Sequence, residues 1–348
     1  MPLLLNSSFV LRTTALLATA ALVAACALSD SQRGSQPIPE RTLRALESHA
    51  LTGESLSYSR NRNSLAFSVS WAAPEEVRVP MKVKNGLPQI PCHVNGHEVW
   101  MVLDTGSQTC VLEAETALQC AVPTIARALA ETAVRGTHGQ EPALAGVPDT
   151  IAIGDWQWHR LPCLVRTHRN SLPGPWIFSQ QPVPFNLLGM DVMKSMCSYI
   201  TLDYQRSEVV FGFRKTFQPE PVTNASYQSL DFRGGLPFIK VSAGGNEWWS
   251  LLDTGSAAQL EIDPAIARLP GFSQKPAGSR AVRSGMGRSD QPPGRQIEQF
   301  VLPRLSLLGL ELRNVDVLIV GDQAKLGSGL LKGLRLTLDL QRSRLWLY

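Results

Sequence analysis

One phrase is written twice in this chain, at a constant offset of 149 residues: Asp104-Thr105-Gly106-Ser107 and Asp253-Thr254-Gly255-Ser256. Each copy follows an apolar run, Trp100-Met101-Val102-Leu103 in one case and Trp248-Trp249-Ser250-Leu251-Leu252 in the other. The surroundings repeat as well. Gly86-Leu87-Pro88 and Gly235-Leu236-Pro237 precede the two copies by the same distance, and Ile90, Gly96, Glu98, Trp100 and Leu103 recur without a gap as Ile239, Gly245, Glu247, Trp249 and Leu252. Downstream, Val134-Arg135-Gly136 recurs loosely as Val282-Arg283-Ser284-Gly285. Both halves close on one phrase, Thr201-Leu202-Asp203-Tyr204-Gln205-Arg206-Ser207 and Thr337-Leu338-Asp339-Leu340-Gln341-Arg342-Ser343. The period is far longer than that of a solenoid repeat. A chain of this kind is a doubled domain rather than an array.

The remaining pattern says what each unit is made of. Apolar runs are short and alternate, as in Val315-Asp316-Val317-Leu318-Ile319, and Gly (27) and Pro (24) punctuate them. Alternation puts one face of a strand toward a core and the other away from it. The expected class is all-β with two lobes related by a pseudo-twofold axis, and 348 residues suffice for both. The expected divisions are a signal peptide at 1–25, a tether and possible helical segment at 26–76, a first lobe at 77–213, a linker at 214–230 and a second lobe at 231–348.

A turn after a strand explains one Asp-Thr-Gly. Two copies inside matching repeats point instead to two carboxylates brought together. Such a pair cannot carry two charges cheaply, so it shares one proton over a window of pH. One member then acts as a base and the other as an acid. Gly106 and Gly255 allow a tight turn and close backbone approach.

Hydrophobic-Asp-Thr-Gly-Ser in both halves, a Gly-containing hairpin further on and a later apolar-apolar-Gly element together resemble the aspartic peptidases. That element is Leu187-Leu188-Gly189 in the first half, followed by a short helix through Met196. In the second it is Lys325-Leu326-Gly327, leading into Ser328-Gly329-Leu330-Leu331, with Lys325 departing from the apolar pattern. Each half is retropepsin-sized, so residues 77–348 resemble a single-chain tandem of retropepsin-like lobes. The resemblance implies an endopeptidase with Asp104 and Asp253 catalytic and a water held between them. It implies that Thr105 and Thr254 bond across the lobe interface, and that Ser107 and Ser256 each donate to the outer oxygen of their Asp. It implies mobile flaps, with Gly136, Gly139, Gly285 and Gly287 at their tips, and neither flap carries a Tyr as pepsin-like ones do. The implied partner is a protein or peptide substrate, with no cofactor and no metal. The alternative is a peptide-binding protein of the same fold without activity. The fused repeat argues for a monomeric active unit over pairing between chains.

Residues 1–25 hold one basic residue, Arg12, and then an uncharged stretch from Thr13 to Ala25. This has the build of a secretory signal. Its end, Leu22-Val23-Ala24-Ala25-Cys26, resembles the bacterial lipobox, with Cys26 as the lipid-modified residue. Ala27 stands where an inner-membrane retention signal would place Asp, so the expected address is the periplasmic side of the outer membrane. Residues 40–60 read either as a short amphipathic helix or as a propeptide. An insertion around 171–184, rich in Pro and aromatics, makes the lobes unequal. Cys92, Cys110, Cys120, Cys163 and Cys197 all lie in the first half, an odd count that leaves at least one thiol free. His93 and His97 flank an Asn95-Gly96 turn and do not make a metal motif. The net charge of +4 is scattered and gives no basis for nucleic-acid binding.

Overall fold

Two lobes are built from the same strand plan, and a third sheet joins them. The computed structural model describes residues 36–49, 68–69, 75–125, 132–136, 139–169, 185–219, 226–270, 272, 278–281, 296–321 and 323–348. The signal region with Cys26, the 171–184 insertion, and Gly285 and Gly287 lie outside these residues.

Each lobe opens with the same pair of turns. Asn85-Gly86 and Asn95-Gly96 in the first, and Gly234-Gly235 and Gly244-Gly245 in the second, all have positive φ at both residues. Two consecutive left-handed residues form the hairpin turn whose twist matches that of its strands. The hairpins that result are Leu87–Val94 with His97–Leu103, and Leu236–Ala243 with Asn246–Asp253. The repeat is kept to the level of register. His93 pairs with Ala152 in the first lobe, and Ser242 with Ser306 in the second.

The strands that end at the carboxylates lie inside their sheets. Asn186–Leu188 runs parallel to His97–Leu103 and antiparallel to Val111–Glu113. Lys325–Gly327 runs in the same way between Asn246–Asp253 and Leu260–Ile262. A short helix follows in each lobe, Met190–Met196 and Ser328–Leu331. The lobes differ in their outer strands. Val147-Pro148-Asp149 and Leu161-Pro162 separate short strands in the first lobe. In the second, Gln296–Leu307 and Leu310–Ile319 run on as long ones.

The joining sheet has six strands, three from each lobe. At its centre Tyr199–Asp203 pairs antiparallel with Arg335–Asp339, with Thr201 facing Thr337. Their hydroxyls are 2.7 Å apart in the buried interior. Equivalent residues meet here because the pseudo-twofold axis passes between them. The C-terminal strand Arg344–Leu347 and Ser226–Ser229 complete the second lobe's share, so part of the stretch expected as linker is strand. A continuous apolar core runs through both lobes, from Ile90, Trp156 and Trp158 to Leu252, Leu305 and Leu338.

The expected helix in 40–60 is Glu40–Ser48, starting directly after Pro39. It packs on the helix Ala114–Gln119 and buries Leu46 completely. Thr124 donates to the Leu46 carbonyl, and Gln36–Pro37 pairs with His168–Arg169. This segment is therefore part of the first lobe's packing. The five described cysteines are all buried, unpaired thiols.

Candidate active site

Each Asp-Thr-Gly-Ser sits where a strand leaves its sheet and turns. Asp104 donates its N–H to the Leu188 carbonyl at 3.0 Å, and the Ser107 carbonyl accepts from Met190 at 2.8 Å. In the second lobe the Ser256 carbonyl accepts from Ser328, also at 2.8 Å. Each turn is thus tied to the apolar-apolar-Gly element beside it, which is why the sequence carries both in each half.

The two turns meet at the axis. The N–H of Thr105 donates to Thr254 Oγ1 at 3.0 Å, and the N–H of Thr254 donates to Thr105 Oγ1 at 3.0 Å. Each hydroxyl in turn donates across the interface, Thr105 to the Leu252 carbonyl and Thr254 to the Leu103 carbonyl. Four reciprocal bonds in a fully buried place hold the two turns at one spacing. Ser328 Oγ adds a bond to the Thr254 carbonyl at 2.7 Å.

This lock brings Asp104 and Asp253 together. They are 7% and 6% exposed, and each packs against the other lobe's glycine. A Cβ on Gly106 would lie 2.4 Å from Asp253 Cγ, and one on Gly255 would lie 2.3 Å from Asp104 Cγ. No side chain fits at either position. Gly106 donates its N–H to Asp104 Oδ1 at 2.8 Å. Burial, and after it the charge of Asp253, pushes Asp104 up to about 8, against the pull of the Gly106 N–H and of Lys325. The arrangement can hold one proton on Asp104 at neutral pH.

The serines do not follow expectation. Ser107 Oγ donates to the Thr109 carbonyl at 2.8 Å, and Ser256 Oγ donates to Glu261 Oε1 at 2.7 Å. Neither hydroxyl donates to its Asp carboxylate: one is taken up by the carbonyl two residues on, the other by Glu261 on the following strand Leu260–Ile262. Asp253 Oδ2 instead faces Lys325 Nζ at 3.3 Å. The signal for this was visible as the one charged residue in the apolar-apolar-Gly element, but its direction was not. Burial alone would pull the Lys325 ammonium down; the charges of Asp253 and Glu261 outweigh it and the net shift is upward.

A second buried ionic group escaped sequence reasoning. Arg166 donates through Nη1 to Glu113 Oε1 at 2.8 Å, and through Nε and Nη2 to the two oxygens of Glu141. It ties Val111–Glu113 and Cys163–Arg166 to Gly139–Gly146, the returning strand of the first expected flap. That flap is a hairpin, with Gly136 paired to Gly139. Of the second, the flanking Ala281 and Gln296 are paired, and the residues between them lie outside those described.

A mostly β, two-lobed architecture with paired Asp-Thr-Gly turns locked by their threonines is an aspartic-protease-like fold. Residues 90–192 match the family model described as aspartyl protease. A search of the curated proteins finds no match. Among solved structures, the chain is similar to basic 7S globulin from soybean, with 11% identity, 79% of this chain and 95% of that one covered, and a TM-score of 0.49. It is also similar to a retropepsin-like aspartic protease from Rickettsia conorii, with 16% identity, 42% and 93% coverage and a TM-score of 0.26.

Proposed function

We propose that the chain is an aspartic endopeptidase in which Asp104 and Asp253 activate a water between them. The observation that carries this reading is the reciprocal threonine lock, which holds two buried carboxylates face to face across the axis. The ionised carboxylate takes a proton from the water as its oxygen bonds to the scissile carbonyl carbon. The protonated one donates to the carbonyl oxygen, giving a tetrahedral diol. The C–N bond then breaks as a proton passes to the leaving nitrogen, with no covalent acyl-enzyme. Rigid placement of the two groups removes most of the orientational cost of that step.

The proposed setting is the bacterial periplasm, with the protein lipid-anchored through Cys26 and addressed to the outer membrane, acting as a monomer on proteins or peptides. The support is the sequence of residues 1–27 and the fused repeat. The test is cleavage of denatured protein mixtures by the wild type, Asp104→Asn and Asp253→Asn from pH 3 to 9. The reading requires cleavage by the wild type and loss in both variants. Cleavage by either variant at the wild-type rate overturns it.

A second reading, an inactive peptide-binding protein of the same fold, is favoured by one observation. The Lys325 ammonium touches an oxygen of Asp253 that a catalytic water would also approach. A wild type that binds peptides and cleaves none supports it.

A further inference from the structure

Lys325 stands at a position where the two lobes have diverged in a concerted way. In the first lobe Leu187 pairs with Val111 across the antiparallel step beside the Asp-Thr-Gly turn. In the second the same step pairs Lys325 with Glu261. Leu187 lies beside Val102, and Lys325 lies correspondingly beside Leu251. Leu187 and Val111 are fully buried in an apolar cluster with Leu87 and Val102. One apolar cross-strand pair has thus been replaced by one of opposite charge.

The replacement is aimed at the dyad. Lys325 Nζ is 3.3 Å from Asp253 Oδ2, with the lysine side chain 23% exposed. Glu261, itself nearly buried, accepts from Ser256 Oγ at 2.7 Å, and this hydroxyl also accepts the Ala258 N–H at 3.2 Å. The charged groups acting on Lys325 are therefore Asp253 from the neighbouring strand, Glu261 from the opposite one, and Asp104 from the other lobe. An ammonium so close to one member of a carboxylate pair, and bonded to it directly, favours charge on that member. The other member accepts the Gly106 N–H and feels the charge of Lys325 less strongly than Asp253 does, so it is left with the shared proton.

We infer that Lys325 is a positioning residue that makes the two carboxylates unequal, keeping Asp253 ionised as the base toward water and Asp104 protonated as the acid toward the carbonyl oxygen. The inference rests on the peptidase reading above. It closes the first step in balance. The water proton passes to Asp253 as the O–C bond forms, and the Asp104 proton passes to the carbonyl oxygen. Asp253 then holds a proton beside a cation, which makes it the stronger acid for the leaving nitrogen. Glu261 keeps the cation in place, since an unpaired ammonium would not remain charged in a buried site.

The experiment compares the full-length wild type with Lys325→Met, Lys325→Arg and the double variant Glu261→Val with Lys325→Leu, which recreates the pair of the first lobe. The readouts are the pH profile of kcat/KM and the 13C titration of the two labelled Asp carboxyls, assigned with Asp104→Asn and Asp253→Asn. The expected result is an acid limb that moves up by roughly one to three pH units in Lys325→Met and in the double variant. At a pH on the wild type's acid limb that is a loss of at least about tenfold, recovered in Lys325→Arg. The carboxyl titrations should be well separated in the wild type and draw together in the variants. An unchanged acid limb, a loss equal at every pH, or a gain of activity on removing Lys325 overturns the inference. A wild type that cleaves nothing defeats the peptidase reading. The carboxyl titrations then still decide whether Lys325 sets the charge on Asp253: separation that vanishes without the lysine supports it, and separation that persists overturns it.

Discussion

Replacing Asp104 by Asn should stabilise the protein at neutral pH while abolishing cleavage. In the folded state Asp104 sits at about 8, whereas an exposed Asp in the unfolded chain titrates near 4. Between these values the folded state holds one proton more than the unfolded state. Stability therefore falls as pH rises through that window, by about 1.4 kcal/mol per pH unit. The contribution is fully present below pH 4 and is lost progressively toward pH 8. At pH 7 the accumulated loss reaches about 4 kcal/mol as a ceiling. Asn has the shape of the protonated acid and an oxygen for the Gly106 N–H, now at 2.8 Å, but takes up no proton. Asp104→Asn should thus gain up to about 4 kcal/mol over the wild type at pH 7 and close to nothing at pH 4. Asp253→Asn should fall below Asp104→Asn at pH 7 by about 2 kcal/mol, because it strips Lys325 of its nearest countercharge. The assay is urea unfolding at both pH values, followed by tryptophan fluorescence, since Trp156 and Trp158 are fully buried. An Asp104→Asn gain of the same size at pH 4 and pH 7, or a loss at pH 7, would show that Asp104 is not the proton carrier.

Two further outcomes follow from the polar contacts. Thr254→Ala leaves the Thr105 N–H without its acceptor in a fully buried place and should cost about 2 kcal/mol and most of kcat. Thr254→Ser should restore both, as read by unfolding and kinetics in parallel. Arg166→Met strands Glu113 and Glu141 together in the interior and should cost about 3 kcal/mol or more at pH 7. Burial already pushes Glu113 up despite Arg166, so the cost should shrink as pH falls and the carboxylates protonate. A pH-independent loss in Arg166→Met would mean that packing, not charge, dominates there.

The sequence by itself determined the repeat and therefore the architecture. Turn pairs such as Asn95-Gly96 and Gly244-Gly245, alternating apolar residues and the closing Thr-Leu-Asp strands are local signals, readable a few residues at a time. Because they occur twice in one order, they also implied the axis and the pairing of Asp104 with Asp253; the bonds of Thr105 with Thr254 were implied by the resemblance to aspartic peptidases. Only the tertiary structure decided which polar groups the dyad touches. Ser107 and Ser256 follow their Asp by three residues, yet their hydroxyls turn to Thr109 and Glu261. Lys325, far along the chain from Asp104 and Asp253, turns toward them. Strand alternation states which face a side chain takes, but not which of several partners on that face it meets. The meeting of Arg166 with Glu113 and Glu141 depends on three strands laid side by side. The repeat implied two carboxylates and left open whether their roles are equal; the Glu261–Lys325 step in one lobe, against Val111–Leu187 in the other, is what makes their surroundings unequal.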